Sequence, residues 1–184
     1  MYKIALIGDS IRLSYGKVVP ELLGEDYQVW QPTDNCRFSA YTLRGMWDWQ
    51  KELDGMDVIH WNNGLWDACD LFDDGPFTRP EVYVDTMKRI AGIMQKHAKK
   101  VIFATTTPVD PRNPHDSNDR IQLFNSLIVP ELEKMGIIIN DLHSLVYPKI
   151  DEYIREDRLH LSEVGVAAAS AQVADAIRKV CETL

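Results

Sequence analysis

Ile4-Ala5-Leu6-Ile7-Gly8-Asp9-Ser10, near the start of the chain, is an apolar run that ends in a glycine and two polar residues. Short apolar runs bounded by turn residues are typical of buried strands in parallel sheets. A strand is predicted over Tyr2–Ile7, and an amphipathic pattern begins again at Leu13. The stretch therefore predicts a turn from a buried strand into a helix, with Ser10 exposed at that turn.

The rest of the chain repeats this alternation of short apolar runs and longer amphipathic segments. Further strands are predicted at Tyr27–Trp30, Val58–Trp61, Val101–Thr105 and Ile137–Ile139. Helices are predicted at Leu13–Leu23, Ser39–Leu53, Pro80–Lys99 and Asn118–Met135, in a stretch after Asp141, and from a Ser162 cap to about Cys181. Pro130 is expected to end or kink the fourth of these helices. The order predicts one α/β domain over residues 1–184, with helices on both faces of a parallel sheet.

Composition and charge limit the class of protein. The 184 residues are 45% hydrophobic and 26% charged, which fits one globular domain. The formal charge of −8 disfavours a nucleic-acid partner, which clustered Lys and Arg would indicate. Neither a secretory signal nor a membrane-spanning run is visible, so we expect a cytoplasmic protein with no membrane partner. The odd set of cysteines, without C-x-x-C spacing, disfavours a disulfide framework or a metal site: Cys36, Cys69 and Cys181.

Ser10 is the first candidate for chemistry, because sites in open α/β sheets lie beyond the carboxyl ends of the strands. A serine at a strand-to-helix turn exposes its hydroxyl, and its backbone N–H near a helix N-terminus can stabilise an oxyanion. The alternative interpretation is that Ser10 only caps the helix, with Asp9 favouring its positive end. The G-x-S-x-G motif of α/β-hydrolases is absent.

Asp157-Arg158-Leu159-His160, near the other end of the chain, supplies what a serine nucleophile lacks. Serine needs a general base, and histidine suits this role because its charge changes near neutral pH. A carboxylate must then fix the imidazole tautomer. A spacing of three residues lets Asp157 and His160 lie on one side of a turn, although a solvated loop would show the same pattern.

Asn62 and Asn63 follow the third predicted strand. A side-chain amide at this position can donate to an oxyanion, while Asn63-Gly64 is also a strong turn former. His60, within the strand, is expected to be a core histidine.

The two end blocks resemble the SGNH/GDSL hydrolase family. Ile4 to Ser10 is similar to the family's first block, and Asp157-Arg158-Leu159-His160-Leu161-Ser162-Glu163-Val164-Gly165 is similar to its last. The resemblance implies a three-layer α/β/α sandwich with a five-stranded parallel sheet in the flavodoxin-like order 2-1-3-4-5. It also implies a Ser10 nucleophile, a His160 general base and an orienting Asp157, with no metal or organic cofactor.

The middle blocks depart from the family pattern. Where the family's second block supplies a glycine N–H to the oxyanion hole, this chain reads Asn35-Cys36-Arg37-Phe38-Ser39, and Cys36 is the expected donor. The third block, usually G-x-N-D, reads Asn62-Asn63-Gly64-Leu65-Trp66-Asp67. Asn62 is preferred to Asn63 because it directly follows the strand. The Ser10 N–H, the Cys36 N–H and the Asn62 amide are thus expected to form the oxyanion hole.

Ester hydrolysis on a small molecule is the function that the resemblance implies. Aromatic residues near the predicted site favour a short acyl ester, such as an O-acetyl group on a carbohydrate, with Asp9, Asn63 and Trp66 as candidate substrate-binding residues. A thioesterase or lysophospholipase of the same fold is one alternative. A non-catalytic carbohydrate-binding module is another. A phosphate or nucleotide binder is disfavoured, since no glycine-rich loop is present and Asp9 would repel phosphate.

Overall fold

Five parallel strands form the central sheet of the computed structural model, which describes all 184 residues. The strands lie in the order β2-β1-β3-β4-β5, as predicted. Each predicted strand is present; the bounds of β2 are as predicted, and those of the other four differ by one to three residues. The strands are β1 Tyr2–Gly8, β2 Tyr27–Trp30, β3 Met56–Asn62, β4 Ala98–Ala104 and β5 Ile138–Asn140.

The register of β1 and β3 brings two of the predicted site segments together. Ile4 pairs with Val58 and Gly8 pairs with Asn62, so both strands end at the same level. Side chains alternate across β3: His60 lies against Tyr15 on one face, while the Trp61 ring packs against Phe103. The Gly8-Asp9-Ser10 turn therefore lies directly beside Asn62 at the carboxyl edge of the sheet.

Helices cover both faces of the sheet. On one face α10 packs against α1 and α2, and on the other α6 packs against α3 and α7. None of the helices is both long and apolar enough to cross a bilayer. Their bounds are α1 Ser10–Tyr15, α2 Val19–Leu23, α3 Ser39–Asp48, α4 Gln50–Leu53, α5 Leu65–Ala68, α6 Pro80–His97, α7 Asn118–Lys134, α8 Leu142–Val146, α9 Ile150–Tyr153 and α10 Glu163–Cys181.

Two predicted helices are each divided in the structure. The first is split into α1, which ends at Tyr15 with Gly16 as its C-cap, and α2, which has a proline in its first turn. The second is split into α3 and α4, with Trp49 between them. Pro130 does not end α7, which continues to Lys134. The exposed position of Pro130 lets water reach the carbonyl that its missing N–H leaves free.

The loop from Ile154 to Leu161 carries the predicted acid–base pair. An antiparallel bridge joins these two residues, and the Arg155 N–H donates to the His160 carbonyl at 2.9 Å. The tip of the 154–161 loop is tied to the segment after β4, because the Asp110 N–H donates to the Arg158 carbonyl at 3.1 Å. These contacts hold the loop against the carboxyl side of the sheet, where β1 ends.

Candidate active site

Ser10 is the first residue of α1 and is half-buried. The helix cap is Asp9, whose Oδ1 accepts the Ile11 N–H at 2.9 Å, so capping does not account for Ser10. The Ser10 hydroxyl makes no hydrogen bond within the protein. Its backbone N–H lies in the first turn, where helix geometry supplies no acceptor. Both groups are therefore free to meet a ligand.

Asp9 lies beneath Ser10 and does not reach the surface. It is only 1% exposed, and its Oδ2 has no hydrogen-bond partner. Burial raises the pKa of Asp9 to about 6, although hydrogen bonds from Asn62 and Ile11 act in the opposite direction. The prediction that Asp9 binds substrate is wrong, since the capping role turns its carboxylate inward.

Asp157 and His160, the predicted acid–base pair, lie in contact at the tip of the 154–161 loop. Asp157 Oδ2 lies 2.8 Å from His160 Nδ1, and Oδ1 accepts the backbone N–H groups of Leu159 and His160 at 3.0 and 2.9 Å. Desolvation acts to raise the pKa of Asp157. The hydrogen bonds from His160, Leu159 and Arg155 outweigh it and hold that pKa well below its ordinary value. Asp157 is therefore an ionised acceptor at neutral pH.

One cavity of about 350 Å³ brings Ser10 and Asp157 together. The Ser10 Oγ and His160 Nε2 atoms are not hydrogen-bonded to each other, and Nε2 has no partner in the protein. Catalytic hydrogen bonds are often long in the absence of substrate. The cavity is lined by Ser10, Leu65, Trp66, Cys69, Leu71, Asn113, Pro114, His115, Asp116, Asp157 and Leu159.

Asn62 lies against the Ser10 turn, and Asn63 points away from it. The Asn62 Nδ2 donates to Asp9 Oδ1 at 2.8 Å, which leaves one amide N–H free in a side chain at the edge of the site. Asn63 is fully buried: its Nδ2 donates to the Arg37 carbonyl, and its Oδ1 accepts the Trp61 indole N–H at 2.6 Å. The prediction that Asn63 binds substrate is therefore wrong.

Cys36 does not present a free N–H. Its backbone N–H donates to the Gly8 carbonyl at 3.1 Å, and the residue is fully buried. The assignment of Cys36 to the oxyanion hole is therefore corrected. Arg37, the next residue, has a φ of +49°, in the left-handed region that favours glycine. Arg37 thus occupies the place where a glycine would be expected in this loop.

A buried row of polar side chains supports Asn62 from behind. The Tyr15 hydroxyl donates to Asn62 Oδ1 at 3.1 Å and lies 3.5 Å from His60 Nδ1, while His60 Nε2 lies 3.1 Å from the Asn140 amide. Burial lowers the pKa of His60 to about 3, so its ring is neutral. His60 is fully buried, which confirms it as a core histidine.

Asp116 and Arg155 lie at the site, although the sequence did not predict a role for either residue. Asp116 lines the cavity and has one buried oxygen without a partner; burial raises its pKa to about 6. Arg155 contacts both Asp157 and His160. The only sequence signal for Asp116 is its place in the proline-rich loop after β4, and Arg155 is marked only by lying two residues before Asp157. No cluster of three or more His, Cys, Asp or Glu side chains is arranged to hold a metal ion.

Comparison with solved structures places this fold among acylhydrolases. A lipase/acylhydrolase from Enterococcus faecalis is 22% identical, with a TM-score of 0.78 over 97% of this chain and 96% of that one. The acetyl xylan esterase AlAXEase is 17% identical, with a TM-score of 0.77 over 95% and 99% of the two chains. Axe2, an acetylxylan esterase from Geobacillus stearothermophilus, is 15% identical, with a TM-score of 0.75 over 97% and 94%.

These similarities span nearly the full length of each chain, so the domain as a whole has the fold of the SGNH/GDSL hydrolases. The resemblance that the end blocks indicated is confirmed at the level of the fold. No family profile and no curated protein sequence matches the chain.

Proposed function

We propose that this protein is a serine esterase that cleaves a short acyl ester through Ser10, His160 and Asp157. The observation that carries the proposal is the 2.8 Å contact between Asp157 Oδ2 and His160 Nδ1, on a loop whose Asp157 lines the same cavity as Ser10. A carboxylate in this contact selects the tautomer with the proton on Nδ1, which leaves Nε2 free as a base. The fold shared with acylhydrolases supports this reaction class.

The proposed reaction has two steps. Ser10 Oγ attacks the acyl carbonyl as its proton passes to His160 Nε2. The ester C–O bond then breaks, and the alcohol leaves with that proton. Water next attacks the acyl-serine, gives its proton to His160, and releases the acid as Ser10 regains its hydrogen. The Ser10 N–H and the free amide N–H of Asn62 are the proposed donors to the oxyanion.

A short acyl ester on a carbohydrate is the proposed substrate. The cavity of about 350 Å³ is at the small end for ligand sites. Trp66 lines it and is 38% exposed, so its ring can stack on a sugar face, while Asn113 and Asp116 offer polar groups to hydroxyls. Two of the similar structures are described as acetyl xylan esterases, which agrees with this substrate class.

Substitution of Ser10 tests the proposal. Ser10→Ala should abolish most of the kcat/KM on a short-chain aryl ester. Ser10→Ala/His160→Ala should be little worse, because members of a triad act as a unit. Asp157→Asn should also be severe, because the amide can select the wrong imidazole tautomer. Thermal melts should show each variant folded. Undiminished hydrolysis by folded Ser10→Ala would refute the serine mechanism.

A carbohydrate-binding module with an inactive triad is the second candidate, because Ser10 and His160 are not hydrogen-bonded. A fluorophosphonate probe separates the two candidates: stoichiometric labelling of Ser10 supports the esterase. An ester panel from acetyl to octanoyl, with and without sugar leaving groups and with thioesters included, defines the substrate. The small cavity predicts a fall in kcat/KM with acyl length. Failure of the whole panel together with no labelling would favour the module.

A further inference from the structure

Arg155 contacts both members of the acid–base pair. Its Nε and Nη2 each lie 2.5 Å from Asp157 Oδ2, and Nη2 lies 3.2 Å from His160 Nδ1. Asp157 Oδ2 is therefore shared between the guanidinium and the imidazole. The 154–161 loop fixes this arrangement, because the Arg155 N–H donates to the His160 carbonyl.

The shared oxygen has two consequences for the chemistry. First, the planar guanidinium donates two N–H groups to Oδ2, which limits the rotation of the carboxylate on which His160 depends. Second, the guanidinium is a permanent positive charge beside the ring. Proton transfer from Ser10 creates a second positive charge on the imidazole, which Asp157 stabilises and Arg155 opposes.

We propose that Arg155 is a positioning residue of the triad, which holds Asp157 Oδ2 in place and whose charge opposes the positive charge that forms on the His160 ring during the reaction. The proposal rests on the esterase function proposed above.

The other charged groups around the site are not changed by substitution of Arg155. Arg158 is directed away from the ring, since its Nη1 donates to the Arg112 carbonyl at 2.9 Å. Across the cavity, the segment after β4 contributes one carboxylate and one imidazole, and a buried carboxylate lies under Ser10. Besides the triad and Arg155, the ionisable groups on the loop, in the first turn of α10, in the cavity wall and under Ser10 are Glu156, Arg158, Glu163, His115, Asp116 and Asp9.

The test separates the charge of Arg155 from its shape. Arg155→Met removes the charge and keeps most of the stem, and Arg155→Lys keeps the charge but loses the planar fork. Arg44→Met is the matched control, because Arg44 forms an exposed pair with Asp48 at 2.6 Å on α3, and neither residue lines the cavity. The side chain of Arg155 is 56% exposed, so the variants should fold.

The pH profile of kcat/KM on an aryl ester is the first measurement. In Arg155→Met the acid limb should move to higher pH, because one positive charge near the imidazole is lost. Arg155→Lys should move it by less than half as much. Both should lower the plateau kcat by roughly tenfold with little change in KM, because positioning is lost in each. Arg44→Met should change neither.

Titration of the His160 ring by ¹⁵N NMR is the second measurement, and it does not require hydrolysis. His160→Gln identifies the resonance by its loss. The titration midpoint should be higher in Arg155→Met than in the unsubstituted protein, because a nearby positive charge is lost, and it should remain unchanged in Arg44→Met. Coincident midpoints in these two variants would overturn the role of Arg155. If the unsubstituted protein hydrolyses no ester while the midpoint shifts as expected, the esterase function fails and the interaction stands.

Discussion

Asp9 and Asp157 are two carboxylates of the proposed site, and their surroundings move their pKa values in opposite directions. Asp9 is enclosed by the sheet and α1, and burial raises its pKa to about 6. Asp157 is on an exposed loop, and the hydrogen bonds that it accepts hold its pKa well below the ordinary range. Asp9 is thus a buried residue that supports the turn, whereas Asp157 is an anion at all physiological pH values.

Asp9→Asn should change how the stability of the protein depends on pH. Between about pH 4 and 6 the unfolded chain ionises Asp9 while the folded protein keeps it protonated, so the free energy of unfolding falls as pH rises. A difference of about two pH units corresponds to roughly 3 kcal/mol. The stability of Asp9→Asn relative to the unsubstituted protein should therefore increase by about that amount from pH 4 to pH 7.

Denaturant unfolding at several pH values measures this difference, with Asp26→Asn at an exposed site as the control. Parallel stability curves for Asp9→Asn and the unsubstituted protein would show that Asp9 is ionised in both states across this range.

Asn62→Ala should lower kcat by about 10²–10³, or roughly 2.7–4 kcal/mol, if its free amide N–H meets the oxyanion. Asn63→Ala should act mainly on stability, because it leaves the buried Trp61 indole N–H without an acceptor, at about 1–3 kcal/mol. Kinetics and thermal melts of both variants check the ranking. If Asn63→Ala lost more kcat than Asn62→Ala, the assignment would move by one residue and the mechanism would stand.

At the scale of elements, the sheet and the contact between Asp157 and His160 could be predicted because their signals are local. Each strand is a short apolar run, and Asp157 and His160 are close enough in sequence to share one loop. The break between α1 and α2 lies at Gly16. The spacing of apolar residues in the sequence hardly changes across this break. Periodicity alone does not reveal such a break.

The polar groups left free at the end of β1 were predicted less well, because they depend on contacts distant in sequence. The Cys36 N–H is occupied by Gly8, and the Asn63 amide is occupied by Arg37; neither partner is adjacent in the chain. The burial of Asp9 has the same origin, since its neighbour Asn62 comes from another strand. Hydrogen bonds between residues that are distant in the sequence determine which polar groups remain free. The spacing of residues in the sequence does not predict these bonds.

Pro130→Ala should stabilise the protein. Alanine restores a helical N–H in α7 and removes the strong penalty of a proline in a helix interior. Part of the gain is lost because the unfolded chain becomes more flexible, so we expect a net increase of about 1–2 kcal/mol. Thermal or denaturant unfolding measures it, with Glu133→Ala on the same helix as a near-neutral control. A lower stability would indicate that the ring makes packing contacts that alanine loses.

At the scale of the whole molecule, the site joins the two ends of the chain. Ser10 follows β1, and the 154–161 loop precedes α10, which packs beside α1 and against β3, β4 and β5. One continuous core holds these parts together, and Trp61 at its centre is fully buried. Correct spacing of Ser10 and His160 therefore depends on the complete sandwich.

Loss of esterase activity in denaturant should coincide with loss of the native tryptophan fluorescence. This follows if the domain unfolds in one cooperative transition, as single domains of this size usually do. Activity and fluorescence, measured on the same samples at increasing urea, give the two curves. Activity lost at clearly lower urea would mean that the 154–161 loop opens while the core remains folded.

The placement of Ser10 and His160 also bears on the protein's synthesis. A ribosome makes Ser10 150 residues before it makes His160. The helix that holds the 154–161 loop in place, α10, is made later still. The nascent chain therefore carries its proposed nucleophile without the proposed base while those 150 residues are added. The proposed hydrolysis can begin only after α10 has left the exit tunnel and packed against the sheet.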